Sequence, residues 1–378
     1  MLTKFDDYPI HQTPDPIAVP ASSDRDVYER YWFNGYTTDE SLYFGAATAF
    51  YPHIGVRDAA LSLIIDGVQT SFFVSAHATG DPTELEIGPW RLEIVEAMRS
   101  CRIMLGPNET GIQADLTFSG RTGCIEEARH QFMSGKRRAM DMTRFSQYGR
   151  WAGSIQIDDD RVELDAETTL GTKDRSWGLR PLAGGDPRPA PGQGRLAGLF
   201  FLWAPLHFGD HAVHYQLFED HHGVAMYSVG AVLPQYESPA AIPGVVDPAV
   251  TRMRRNDYEL GFEAGSRMLD SIGLSFAEPG RDDRHEITLA KITTFRMKGL
   301  GYGHPHWRHG TYHGELAMDR ESWEVDALDP TKPENQHVQH FVRAHWGDRV
   351  GIGAVEQLFI GPHEPTGLTG IFDGPQDR

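Results

Sequence analysis

The segment AALSLIIDGVQTSFFV, Ala59 to Val74, constrains the fold more than any other stretch of the chain. Two β-rich runs flank Asp66-Gly67, a dipeptide that readily takes the positive φ angles of a tight hairpin. The pattern recurs at short intervals. WRLEIVEAMRSCRIML and GIQADLTFSG flank Gly-Pro-Asn-Glu-Thr, and WAGSIQI and RVELDAETTL flank Asp158-Asp159-Asp160. Period-two alternation dominates, and Ile125 to Gln147 is the one stretch with the length and spacing of a helix. A chain patterned in this way is predicted to be all-β.

A second strand series follows the Pro/Gly-rich stretch RPLAGGDPRPAPGQGR, Arg180 to Arg195, which can bury little. It comprises GLFFLWAPLHF, HAVHYQLFED, GVAMYSVGAVL, EITLAKITTF, HGTYHGELAMD and GAVEQLFIG, with His221-His222-Gly223 as a further turn. At about 150 residues per domain, 378 residues suit two domains. The predicted organisation is an N-terminal domain over 1–180, a linker over 181–195 and a C-terminal domain over 196–378. Strands at this spacing belong to barrels or sandwiches.

A formal net charge of −18 repels phosphate backbones and anionic headgroups, which argues against nucleic-acid or membrane-surface partners. No run approaches the roughly 20 apolar residues that cross a bilayer, and MLTKFDDYPIHQTPDP lacks the pattern of a signal peptide. A cytoplasmic protein is expected, with Cys101 and Cys124 as buried thiols in a reducing compartment. A homodimer is compatible with this composition.

Three stretches concentrate reactive side chains. GTKDRSWGLRP, Gly171 to Pro181, carries Asp174, Trp177 and Arg180. A buried carboxyl keeps its proton at neutral pH and an indole face stabilises a developing cation, a pairing suited to acid catalysis. Alternatively, Asp174 pairs with Lys173 or Arg175 and Trp177 only packs. On a regular strand Asp174 and Trp177 point to opposite faces, so the catalytic reading needs a bulge, for which Gly171 and Gly178 offer room. FLWAPLHFGDHAVHYQLFED supplies Trp203, His207, His214 and Gln216, the last two on one strand face. GYGHPHWRHGTYHGEL, Gly301 to Leu316, holds Tyr302, His304, His306, Trp307, His309 and His313. Its histidines suggest a metal site, yet neither HExxH nor CxxC accompanies them, and only Glu315 and Glu356 stand out as carboxylates to complete one. No bound metal is predicted. GxGxxG, GxxxxGK[ST] and GxSxG motifs are absent too, so neither nucleotide cofactors nor hydrolase chemistry gains support.

GTKDRSWGLRP resembles the Asp-x-x-Trp-Gly signature that closes the first domain in the AttH and carotenoid 1,2-hydratase-like superfamily, and GYGHPHWRHGTYHGEL resembles a block of its bacterial branch. The resemblance implies two lipocalin-like, calycin-type antiparallel β-barrels packed against each other, an apolar pocket, and no metal or redox cofactor. Members include hydroxyneurosporene synthases, kievitone hydratase-like enzymes and lipocalin-like Diels–Alderases. Arg175 and Ser176 stand where the hydratases more often have His and an acidic or polar residue, which argues against carotenoid hydration itself.

The expectation is a cofactor-independent enzyme acting on a hydrophobic molecule, isoprenoid, steroid-like or polycyclic, by hydration, dehydration, isomerisation or cyclisation. Asp174 would be the acid, His214 or His304 a proton-transfer partner, and Trp177, Arg180, Trp203, His207, Gln216, Tyr302, His306 and Trp307 the substrate-binding wall. A non-catalytic carrier of an apolar ligand is the alternative, since barrels of this kind also hold ligands without chemistry.

Overall fold

The computed structural model describes residues 9–182, 198–281 and 283–375. In chain order the first strands are β1 (Val27–Thr37), β2 (Tyr43–Tyr51), β3 (Val56–Ile65), β4 (Val68–His77), β5 (Glu86–Ile87), β6 (Trp90–Glu96) and β7 (Ser100–Leu105). They continue with β8 (Ile112–Gly120), β9 (Ile125–Glu126), β10 (His130–Ser134), β11 (Arg137–Ile157), β12 (Asp160–Leu164) and β13 (Thr169–Leu179). The later strands are β14 (Leu199–Phe208), β15 (His211–Glu219), β16 (Ala225–Pro234), β17 (Thr251–Phe262), β18 (Leu269–Ala277) and β19 (Arg284–Arg296). The last are β20 (Leu316–Glu324), β21 (Val338–Trp346) and β22 (Arg349–Ile360).

These strands make two antiparallel bodies. Strands β14 to β19 with β21 and β22 close into an eight-stranded barrel. The first sheet runs β20-β4-β3-β2-β1-β13-β11-β8-β7-β6-β5 and curls into a nearly closed barrel, with β9, β10 and β12 paired to β11. The 196–378 segment thus gives one strand back: β20 pairs with β4 from Leu316↔Ala76 to Glu324↔Val68 and covers an edge that would otherwise expose unpaired backbone groups. Most of the predicted linker, residues 183–195, lies outside the described residues.

The hairpin read from Asp66-Gly67 joins β3 to β4 with φ of 49° and 77° at the two residues, the left-handed pair its tight turn requires. Other expectations fail locally. The helical spacing of Ile125 to Gln147 is overridden: the segment forms β9, β10 and the start of β11, turning at Gly135 with φ of 61°. Pairing of β11 with β13 over Asp141 to Arg150 outweighs the local propensity there. WRLEIVEAMRSCRIML is split into β6 and β7 by a turn at Met98, whose φ is 61°.

Alternation decides which side chains meet between the barrels. On β1, Phe33 faces the core of the first barrel and Trp32 faces the second barrel; on β14, Leu202 points inward and Trp203 outward. Both barrel interiors are filled by side chains, Phe44, Leu61, Trp90 and Trp151 in the first and Phe200, Leu217, Leu274 and Phe359 in the second. A third apolar layer joins them, with Trp32 edge-on to Trp203 at 5.7 Å and Tyr36 against Phe341 at 5.3 Å between ring centroids. Each large side chain fully buried there contributes about 1.5–3 kcal/mol, enough for a few of them to fix how the barrels sit. Cys101 and Cys124 are unpaired and buried, their thiols pushed up to about 11 by desolvation. No helix among the described residues is long and apolar enough to cross a membrane.

Candidate active site

A cavity lies between the barrels rather than inside either one. Its floor comes from the outward residues of three neighbouring strands of the first barrel. Asp174 on β13 stands opposite Trp32 on β1 and Ser146 on β11, and Ser176 stands opposite Arg30 and Arg144. Cross-strand neighbours of this kind hold their Cβ atoms about 5 Å apart, so Arg30, Trp32, Arg144, Asp174 and Ser176 form one surface. The second barrel supplies the roof in rows: Tyr227, Phe218, Phe201 and Leu358 are consecutive partners across β16, β15, β14 and β22. The next row sets Gln216, Trp203 and Glu356 side by side. Met140, Met142, His130, Tyr302 and His337 close the sides.

Four charged groups organise the polar end. Arg144 Nε lies 2.6 Å from Glu127 Oε2 and 3.5 Å from Asp174 Oδ2. Glu127, from the turn between β9 and β10, also accepts hydrogen bonds from Ser146 Oγ at 2.8 Å and Gln216 Nε2 at 2.6 Å, and so ties the two barrels together. Burial opposes its charge, yet Arg144, followed by His214 and His130, holds its pKa below the usual carboxylate range. Glu356 is likewise desolvated and likewise kept low, by a 2.8 Å contact with His337 Nε2 and a 2.6 Å bond from Gln339 Nε2.

Asp174 has neither advantage. Burial pushes its pKa up to about 8 against the partial relief of Arg144, and the charges of Glu127 and Glu356 push it further. Glu127 and Asp174 compete for the Arg144 guanidinium while Glu356 has partners of its own, and the carboxyl with the longer contact to Arg144 takes the proton. The site therefore presents a neutral carboxylic acid at pH 7 beside two carboxylates, the separation of proton affinities that acid catalysis requires. His130, stacked on Tyr227 at 3.9 Å, is held neutral with its pKa lowered to about 3, first by burial and then by Arg144.

The structure sorts the residues expected from the sequence. Asp174, Arg180, Trp203 and Tyr302 line the cavity. Gln216 and His214 stand behind it, Gln216 bonded to Glu127 and His214 3.8 Å from it, with Tyr148 Oη 3.1 Å from the His214 ring. His207 is buried between Tyr36 and Tyr148 and bonds Gln235 at 3.2 Å, off the cavity. Trp177 is placed elsewhere: β13 pairs with both neighbours without a bulge, so its indole lies on the opposite face from Asp174, partly exposed and under the Arg175 guanidinium. Neither Lys173 nor Arg175 partners Asp174. Both share the Trp177 face, and Arg175 is bound to Glu29.

The histidine-rich segment also departs from expectation. His304 Nδ1 accepts the backbone N–H groups of His306 and Trp307 at 3.1 and 2.9 Å, which leaves Nε2 to donate to Glu321 at 3.1 Å. Its ring braces a turn, and burial lowers its pKa against the pull of Glu321. Trp307 stacks on Phe73 and bonds Asp319, while His306 is exposed; none of the three lines the cavity. Among the described residues no group of three or more His, Cys, Asp or Glu side chains is placed to hold a metal ion.

Glu127, Arg144, His337, Trp32 and Tyr227 escaped the sequence reading. For Trp32, Arg144 and Tyr227 the signal is a polar or aromatic residue at every second position of a strand, as Arg144, Ser146 and Tyr148 are on β11; Glu127 and His337 lie outside the strands and carried no such pattern.

A two-barrel fold with its cavity between the bodies defines the class to which the protein's structure belongs. Kievitone hydratase from Nectria haematococca superposes with a TM-score of 0.50 at 11% identity, covering 91% of this chain and 93% of that one. The structure of CghA gives a TM-score of 0.50 at 10% identity over 90% of this chain and 89% of that one. An AttH-like protein of Nitrosomonas europaea gives 0.49 at 11% identity over 90% and 98%. The fold is shared with kievitone hydratase and CghA. In sequence, the chain belongs to DUF8625, a family of unknown function whose profile matches residues 2–369. No curated protein matches it in sequence.

Proposed function

We propose that the protein is an enzyme for a hydrophobic, unsaturated substrate, isoprenoid, steroid-like or polycyclic, and that Asp174 is its proton donor. The observation that carries this reading is a buried carboxyl, raised to about 8, facing an aromatic cavity. The Asp174 hydroxyl gives its proton to one carbon of a double bond; the π electrons form the new C–H bond, and the neighbouring carbon becomes a cation. Trp32, Trp203, Phe201 and Tyr227 offer their ring faces to that charge. The cation is captured by water, whose surplus proton passes to the His337–Glu356 pair; or an internal double bond closes a ring on it and the new cation gives a neighbouring proton to that pair; or the first cation gives up such a proton directly. The new Asp174 carboxylate is then reprotonated. Hydration, dehydration, isomerisation and cyclisation by this route are all redox-neutral and need no external oxidant or cofactor. That a structural neighbour is by name a hydratase agrees with the reading.

The test begins with mass spectrometry of small molecules that co-purify with the protein. On the substrate so identified, Asp174→Asn, which keeps shape and removes the titrating proton, should lower turnover by about a hundredfold or more with ligand binding and melting temperature retained. Normal turnover by that folded variant would remove Asp174 from the chemistry. Stoichiometric binding with no turnover by the wild type would leave a carrier of apolar ligands instead.

A further inference from the structure

Beside the main cavity lies a second compartment, lined by Tyr28, Tyr51, Arg308 and His309, and the two share Arg30, Arg180 and Tyr302. Tyr302 is held between two guanidiniums, Arg30 Cζ at 5.2 Å and Arg180 Cζ at 5.3 Å from its ring centroid. Arg30 is 2% exposed. Its Nη2 donates to Tyr51 Oη at 3.0 Å and its Nη1 lies 2.8 Å from His309 Nε2, but its Nε is buried with no partner. His309 adds no negative charge, being kept neutral by burial and by the two arginines. Asp58 stays ionised at pH 7, its pKa raised only to about 6 by burial, and its field helps to keep Arg30 charged, but it lies beyond ion-pair distance and accepts the Gly310 N–H at 2.7 Å. Among the described residues, no carboxylate stands within ion-pair distance of Arg30 or Arg180.

Two cations facing one ring, one of them fully desolvated, are costly unless an anion joins them. The chain carries −18 overall, yet Arg30, Arg180 and Arg308 line this one compartment, with no Asp or Glu among its lining residues. We infer that the Arg30–Tyr302–Arg180 compartment binds the carboxylate of an amphipathic substrate whose apolar body occupies the cavity between the barrels. A planar carboxylate matches the guanidinium fork, and the shared Arg30, Tyr302 and Arg180 wall makes head and body sites continuous. The inference rests on the proposed function for the location of the apolar body, and it adds the chemical class of the head. It also gives the site an orientation, because a headgroup fixed at the arginines determines which part of the body passes over Asp174.

Calorimetric titration with 2-naphthoate and with its uncharged isostere 2-naphthamide tests the inference on the full chain. The carboxylate should bind at least about tenfold more tightly than the amide, and Arg180→Gln should abolish that preference. Arg180 is the partly exposed member of the pair, so this variant spares the core, and near-ultraviolet circular dichroism checks its fold. Equal binding of the two probes, binding of neither, or a preference that survives in Arg180→Gln would overturn the anion site. Displacement of 2-naphthoate by inorganic phosphate at equal concentration would overturn the commitment to a carboxylate. Asp174→Asn should retain the preference, so the anion site and the proton donor can fail separately.

Discussion

The segment from Gly301 to Leu316 and the cluster of Glu127, Arg144, Asp174 and Glu356 are opposites in sequence and in structure. The first packs its histidines into sixteen residues, and the structure spends His304 on capping a turn, His309 on a contact to Arg30 and leaves His306 in solvent. The second draws single residues from β11, β13, β22 and the turn after β9, each unremarkable where it stands, and brings them to one cavity. Density along the chain reports a local turn that needs polar partners. Convergence across strands creates the shared proton, because only there do several carboxyls compete for one cation in a place that water does not relieve.

The contrast predicts effects of different kind and size. Glu127→Gln should act most strongly, because it leaves Arg144 without its short ion pair between the barrels; stability should fall by about 3–5 kcal/mol. The same change removes a negative charge that raises the Asp174 pKa, so in the surviving folded protein the alkaline limb of the activity profile, where the donor loses its proton, should move to lower pH. A stable variant with an unmoved profile would show that the carboxyls do not share a proton.

His304→Ala should cost less, about 1–3 kcal/mol for two backbone N–H groups left without their acceptor, as measured by urea unfolding. Turnover per folded molecule should be unchanged, since the ring does not reach the cavity. A loss of turnover at full stability would return the histidine segment to the chemistry.

The third effect is a slope, small for each pH step and cumulative across the titration window. Asp174 binds its proton more tightly folded, with a pKa of about 8, than unfolded, near about 3.9, so its contribution is full below about pH 4 and lost as pH rises to about 8. Wild type should therefore lose stability relative to Asp174→Asn across that window, by up to about 1.4 kcal/mol per pH unit, and the difference should level off above it. The buried histidines act in the other direction. His207 and His214, lowered to about 4 by burial, contribute stability above about pH 6.5 that is lost as pH falls, but they are common to both proteins and cancel in the difference.

The barrels were legible in the sequence because a strand's period of two is local, and the Asp66-Gly67 and Asp158-Asp159-Asp160 turns punctuate it. The exchange of β20 into the first barrel was not, since edge pairing depends on where two distant strands end up in space. Asp174, Arg180, Trp203 and Tyr302 were singled out by residue type, and the structure sets all four around one cavity. Trp177 was misplaced for a reason already visible in strand geometry: without a bulge, residues three apart on a strand face opposite ways. Arg144 was hidden by a helical spacing over Ile125 to Gln147 that tertiary pairing overrode.

The central claim is that a neutral carboxylic acid sits between the barrels at pH 7, and infrared difference spectroscopy reads it without any substrate. Subtracting the spectrum of Asp174→Asn from that of the wild type should leave the carbonyl stretch of one protonated carboxyl at pH 7, fading as pH is raised through about 8. A difference spectrum showing only carboxylate at pH 7, with the protonated band appearing near pH 4, would mean that Arg144 holds Asp174 ionised and that the acid of this site is another group.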